Sequence, residues 1–156
     1  MTAKVVRFTE ADWRAFAVLR LRALVDALGD RDPQYQKESA FTAAQWRRRL
    51  RNHAQFATLV DGRPVGLIAA QQENLDSVYL YSLWLDPVVR GRGLARPLVA
   101  AAVDWARGQH VQTITLRVAS GNLAARTVYE SLGFAFVAST ETAKPRDEVA
   151  MKLSVS

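Results

Sequence analysis

A chain of 156 residues, 49% hydrophobic and 23% charged, can close one core without covalent staples, and residues 1–156 are read as a single domain. It has no cysteine, which excludes disulfide frameworks, thiolate metal sites and any acyl-cysteine relay. Lysine and arginine number 21 against 15 aspartates and glutamates, a formal charge of +6, so anionic ligands are favoured, although charge alone does not separate small phosphorylated molecules from nucleic acid.

The first residues contain no apolar run of signal-peptide length, and no stretch is long enough to span a bilayer; the expectation is a cytoplasmic protein without a membrane contact. Residues 4–8 read as a short strand. Thr9, Glu10, Ala11 and Asp12 then resemble a capping box that opens a helix to about residue 27. Trp13, Phe16, Ala17, Leu21, Leu24 and Leu28 fall at the spacing of one buried face, with Arg20 at its edge. Gly29, Asp30, Asp32 and Pro33 break the pattern, so residues 28–40 are expected to form a loop. Thr42 and Gln45 form a second capping box, opening a shorter helix through Trp46 and Leu50. Its Arg47, Arg48, Arg49 and Arg51 lack interleaved aromatics and a nucleic-acid-binding fold, so they read as a solvated face.

Residues 55–60 and 65–72 are β-rich and joined by Asp61-Gly62-Arg63-Pro64, a hairpin signal. After a turn at Asn74 to Ser77, residues 78–85 form a strand that runs into Arg90-Gly91-Arg92-Gly93-Leu94-Ala95 and then an amphipathic helix carrying Leu94, Leu98, Val99, Ala102, Val103 and Ala106. This arrangement is an anion site on physical grounds. The unpaired N–H groups at the helix N-terminus point outward with the positive end of the dipole, glycine lets the backbone approach closely, and Arg90, Arg92 and Arg96 add charge suited to phosphate. It is not a Walker loop, since no Gly-Lys-Ser/Thr occurs, and Arg96 stands where a dinucleotide fingerprint needs its third glycine.

Residues 113–118 are a further strand, expected to pair in parallel with 78–85 across the helix. Ser120, Gly121 and Asn122 cap a helix over 123–131 that Gly133 stops. Residues 134–139 and 148–153 read as a closing antiparallel pair around Lys144, Pro145, Arg146 and Asp147.

Two motifs now stand in order. The run from Arg90 to Ala95 fits Arg/Gln-x-x-Gly-x-Gly/Ala and resembles the acyl-coenzyme A pyrophosphate loop of the GNAT superfamily of N-acyltransferases. Downstream by one helix and one strand, the run from Asn122 to Phe134 is similar to the same superfamily's Asn-x-x-Ala-x-x-x-Tyr-x-x-x-Gly-Phe. Taken singly, Asn122 reads equally as an N-cap, Tyr129 as a packed aromatic and Gly133 as a helix stop. The two motifs in the family's order are far more specific than either alone.

The resemblance implies an α/β fold of the α+β mixed-sheet kind, flanked by about four helices, whose central parallel strands splay apart below the anion loop. It implies acetyl-coenzyme A as acyl donor and no metal. Leu83, Trp84 and Leu85 would pair with the pantetheine amides, Arg90, Gly91, Arg92, Gly93, Leu94, Ala95 and Arg96 would hold the pyrophosphate, Asn122 would bond the pantetheine arm, and Arg126 would approach the adenosine phosphate. Tyr129 would protonate the leaving thiolate, and the backbone N–H of Leu85 or a neighbour would polarise the acetyl carbonyl.

The base and the acceptor are less determined. Histone-type members carry a glutamate where this chain has Tyr79, leaving Glu73, Asp76, Glu148, or Tyr79 and Tyr81 through water, as candidates. Tyr79 and Tyr81 are expected to contact the acceptor. Asp26, Asp30, Asp32 and Glu38 could attract a cationic amine, or be solvated loop charges. The leading expectation is an N-acetyltransferase acting on a primary amine of a small molecule, such as an antibiotic or metabolite. A protein or peptide N-acetyltransferase and a non-catalytic acyl-coenzyme A-binding module are the alternatives, with nucleic-acid binding resting only on charge. The resemblance also allows a homodimer, since many members of the superfamily dimerise.

Overall fold

In the computed structural model, residues 2–137 and 148–155 are described. The strands are β1 (Ala3–Phe8), β2 (Ala54–Val60), β3 (Arg63–Asn74), β4 (Ser77–Leu85), β5 (Thr113–Ala119), β6 (Ala135–Phe136) and β7 (Glu148–Ser154). The helices are α1 (Trp13–Leu28), α2 (Pro33–Ser39), α3 (Ala43–Asn52), α4 (Ala95–Arg107) and α5 (Leu123–Ser131). The strands form one sheet in the order β1-β2-β3-β4-β5-β7-β6. Among the described residues only β4 and β5 pair in parallel, as their α4 crossover requires; the other pairs are antiparallel.

Local chemistry explains most of the connections. The Thr9 N–H donates to Asp12 Oδ2 at 2.7 Å, holding a 3-10 turn over Glu10–Asp12 ahead of α1. At α3 the exchange is reciprocal: Thr42 N–H to Gln45 Oε1 at 2.8 Å and Gln45 N–H to Thr42 Oγ1 at 3.2 Å. The β2–β3 turn places Asp61 at φ 48° and Gly62 at φ 83°, the two positive values that a tight hairpin with matching twist demands.

The sheet buries both faces. On one, α4 inserts Leu98, Val99, Ala102 and Ala106 against Phe56, Ile68, Leu80, Ile114 and Met151. On the other, Phe16 and Leu19 of α1 and Trp46 and Leu50 of α3 cover Phe8, Leu67 and Trp84, with Phe16 meeting Trp46 edge-on at 5.5 Å. Truncating a fully buried leucine such as Leu98 in so closed a layer costs about 2–5 kcal/mol.

Two expectations are corrected. Leu28 is 54% exposed, while Leu19 and Ala23 are buried instead. Helix α1 is apolar most of the way round, with Val18, Leu21 and Val25 beside the buried set, so periodicity did not single out one stripe and the Phe16–Trp46 contact sets its rotation. Residues 28–40 are not all loop, because α2 occupies Pro33–Ser39. Asp32 accepts the Gln34 N–H at 2.8 Å and Pro33 presets the first turn.

The closing hairpin pairs Ala135 with Lys152 and Phe136 with Met151. Its expected turn at Lys144 to Asp147, and the continuation of its first strand to 138 and 139, lie outside the described residues. Among the described residues no helix is long and apolar enough to cross a membrane.

Candidate functional site

The parallel pair β4–β5 is short. It runs from Ser77 opposite Thr113 to Leu80 opposite Leu116; beyond that β5 continues with β7 as far as Ala119, and β4 goes on to Leu85 with no strand on that edge among the described residues. Against β3, Leu67 faces Trp84 but Ala69 faces Tyr81, so β4 carries one extra residue between them. Ser82 there has φ 60°, a β-bulge that redirects the rest of the strand. A left-handed serine costs about 1–3 kcal/mol and persists only where its surroundings impose it.

The surroundings are a buried ion network. Arg20 donates from Nη1 to Ser82 Oγ at 3.1 Å and grips both oxygens of Glu38 at 3.0 and 3.1 Å. Glu38 is fully buried, also meets Arg49 at 3.5 Å, and accepts from the Gln34 amide. Burial pushes its carboxyl up, yet Arg20, Gln34 and Arg49 together hold it below the usual range. Helices α1, α2 and α3 are thereby tied to the bulge.

After β4, Asp86 accepts the Val88 N–H at 3.1 Å, shaping a 3-10 turn over Pro87–Val89, and pairs with Arg22. Gly91 and Gly93 follow at φ 80° and 76°. A Cβ on either would meet nothing within 4 Å, so the backbone conformation, not crowding, demands glycine. Leu94 stands at the N-cap of α4 and offers no side-chain acceptor, which leaves the first-turn N–H groups for an anion. Arg96 Nε bonds Ser131 Oγ at 3.1 Å, bridging α4 to α5. Arg90 donates from Nε to the Leu85 carbonyl and from Nη2 to Asp26, both at 2.9 Å. The indole N–H of Trp84 reaches the same carboxylate at 2.9 Å, and with Arg90 it keeps Asp26 below its ordinary range against the pull of burial.

Between β4, this loop and α5 lies a cavity of about 680 Å³. Leu83, Trp84, Leu85, Arg90, Gly91, Gly93, Leu94, Ala95, Arg96 and Asn122 line it, with Ala125, Val128 and Ser131 as its far wall. Most of the expected coenzyme-binding residues therefore converge. Asn122 also caps α5, accepting the Ala125 N–H at 3.2 Å. Arg92 is exposed in the loop and off the lining. Arg126 is directed elsewhere: its Nη1 donates to the Ser120 carbonyl at 2.7 Å and its guanidinium stands 4.7 Å over Phe136. Tyr129 is buried, edge-on to Phe134 at 5.8 Å, and burial together with the nearby Tyr79 pushes its phenol up to about 12. A phenol so placed keeps its proton at neutral pH, so it can donate but not act as a base.

On the other side of the splay, Tyr79 and Tyr81 stack at 5.9 Å, nearly parallel. Burial raises the Tyr79 phenol; Arg117 opposes, and Glu148 and Glu73 add to the rise. Glu73 and Glu148 thus stand near enough to Tyr79 to influence it, and the backbone carbonyl of Asp76 accepts from the Gln112 and Thr113 N–H groups at 2.9 and 3.0 Å. Tyr81 bonds Nδ1 of His53, whose basicity burial and Arg49 both lower. His53 was not among the expected residues; its only sequence signal is that it ends α3. The suggested acidic cluster does not form a free cation trap. Glu38 is committed to Arg20 and Arg49, Asp26 to Trp84 and Arg90, and Asp32 to the α2 cap.

Comparison with known proteins agrees with this geometry. Residues 14–134 match the Acetyltransferase (GNAT) family. The chain is 34% identical over 113 residues to a mycothiol acetyltransferase of Nocardiopsis dassonvillei, covering 72% of this chain and 30% of that protein. It is 33% identical over 97 residues to the ribosomal protein bS18-alanine N-acetyltransferase of Escherichia coli, covering 62% of each. The chain spans less than two thirds of the length of these curated relatives, and about a third of the N-acetylaspartate synthetases it also matches. In fold it superposes on yncA of Salmonella typhimurium, solved with acetyl-coenzyme A, with a TM-score of 0.75 at 19% identity over 100% of this chain and 95% of that one.

Proposed function

Because the chain belongs to the GNAT acetyltransferase family, we propose that it moves an acetyl group from acetyl-coenzyme A to the primary amine of a small molecule, by direct transfer in a ternary complex. The observation that carries this reading is the convergence of three features on one cavity: the N-terminus of α4 without a side-chain cap, the edge of β4 that is unpaired among the described residues, and the cap of α5. A polyanionic, amide-bearing donor matches that lining, since phosphates suit helix N–H groups and amides suit a strand edge.

In this reading the amides from Gly91 to Ala95 and the guanidiniums of Arg90 and Arg96 hold the pyrophosphate. The edge of Leu83 to Leu85 pairs with the pantetheine amides, and the Asn122 side chain borders the same arm. The bound thioester supplies the activated acetyl group. The acceptor loses a proton to become a neutral amine and attacks the carbonyl carbon, while the Leu85 N–H or its neighbour receives the developing oxyanion. As the C–S bond breaks, Tyr129 gives its proton to the thiolate and regains one from solvent or from the acceptor side.

The test is release of free coenzyme A across panels of amines, followed with a thiol reagent that finds no thiol on this cysteine-free protein. Release that depends on one class of small amine supports the reading. Acetylation confined to peptides or protein N-termini would replace it with the protein-acceptor alternative, the acceptor type named for the Escherichia coli relative.

A further inference from the structure

A second cavity, of about 270 Å³, reaches His53, the partner of Tyr81, and shares no lining residue with the larger one. Lys37 from the last turn of α2 lines it, with Gln45, Arg48, Arg49 and Asn52 from α3 and His53 at the helix end. Positions 45, 48, 49 and 52 follow the i, i+3, i+4, i+7 spacing of one helical face, so these donors lie side by side. Phe41 forms an apolar wall, with the Arg49 guanidinium 5.5 Å over its ring.

The charge inventory of this cavity is one-sided. It presents three cations, two amide side chains and an imidazole, and among the described residues no carboxylate lines it. Glu38, which pairs with the lining residue Arg49 at 3.5 Å, is fully buried and also bound by Arg20 at 3.0 Å. Among the described residues, the side chains of Lys37 and Arg48 make no ion pair. Lys37, Gln45, Arg48 and Asn52 are exposed, so the cavity is an open concavity, and its spare positive charge is complementary to an oxyanion.

Position identifies the oxyanion's source. His53 lines the cavity and bonds Tyr81, which immediately precedes the Ser82 bulge where the strands part. A molecule in the cavity therefore lies next to the tyrosines on the acceptor side of the splay. We infer that this cavity binds an anionic group, carboxylate or phosphate, at the end of the acceptor remote from its amine. The inference rests on the amine-acetyltransferase reading and narrows it to extended acceptors that carry both an amine and an anion.

The experiment uses His53 as a reporter. The chain has two histidines, and His110→Gln leaves His53 alone in the NMR spectrum. Titration with inorganic phosphate, and separately with succinate, is expected to move the His53 ring resonances saturably and to raise the apparent pKa of His53, because an anion stabilises the imidazolium against Arg49 and the neighbouring cations. The double variant Lys37→Gln/Arg48→Gln should weaken that binding by about tenfold or more, as loss of two charge-assisted contacts requires. Amines compared as free acid and methyl amide should show an acid KM about tenfold lower, a preference that the double variant loses while kcat for neutral amines stays unchanged.

No saturable response of His53 in the parent, or equal responses in the double variant, overturns the inference. So does equal use of acids and amides by an active enzyme. A responsive His53 with no small amine turned over places the failure in the proposed activity, and the acceptor assignment of the cavity falls with it.

Discussion

Arg20 donates from Nη1 to Ser82 Oγ at 3.1 Å while its other nitrogens bind Glu38, so one guanidinium joins the buried carboxylate of α2 to the left-handed residue that bends β4. The helical layer and the site strand are thereby a single mechanical unit. Replacing Arg20 by methionine would leave Glu38 buried with only Arg49 and Gln34. The expected loss is about 3 kcal/mol, the lower end for breaking a buried ion pair. The double variant Arg20→Met/Glu38→Met should be less destabilised than the single. Urea unfolding of both single variants and of the double checks this, and a double variant as unstable as the sum of the singles would show that the pair is not coupled.

Gly93→Ala isolates the role of backbone conformation in the anion loop. At φ 76° with open space around it, the added methyl meets no neighbour, and the cost is that of a left-handed alanine, about 1–2 kcal/mol. If the loop relaxes to avoid that cost, its amides leave the phosphate and coenzyme A affinity falls about tenfold. Gly62→Ala is the control, since Gly62 has φ 83° and equally open surroundings in a hairpin outside the cavity lining. It should cost similar stability and leave coenzyme affinity unchanged in calorimetric titration.

What could be read from the sequence was what short-range chemistry determines. The capping exchanges at Thr9 and Thr42, the positive-φ turn at Asp61-Gly62, the glycines of the loop and the Asn122 cap each depend on residues within a few positions of one another. The features that were missed depend on distant partners. Glu38 looks like a solvated charge in a polar segment until Arg20, 18 residues earlier, and Arg49 close on it. His53 is a lone histidine until the sheet brings Tyr81, 28 residues later, to its Nδ1. The local partners of Arg126, the Ser120 carbonyl and the Phe136 ring, likewise appear only in the fold.

The His53 environment makes stability depend on pH in a defined direction. Burial and Arg49 depress its folded pKa below the ordinary 6.5, so the unfolded chain binds more protons between those two values. The contribution is complete above about 6.5 and is lost as pH falls through the window beneath it. His53→Gln should flatten that part of the stability curve, measured by urea unfolding at several pH values. An unchanged slope would assign the acid sensitivity to other groups.

Tyr129→Phe separates chemistry from packing. The ring that packs on Phe134 at 5.8 Å is retained and only the phenol is removed, so the fold and coenzyme affinity should stay within about twofold of the parent. Turnover should fall by about 10²–10⁴, the usual contribution of a positioned proton donor. The pH dependence gives a second, independent readout. A phenol raised to about 12 is protonated and competent throughout the neutral range, and activity that depends on it is lost only as pH rises towards that value. An alkaline limb centred well below 10 therefore belongs to another group, and it should persist in Tyr129→Phe. Disappearance of such a limb in the variant, or turnover equal to that of the parent, would remove Tyr129 from the role of acid.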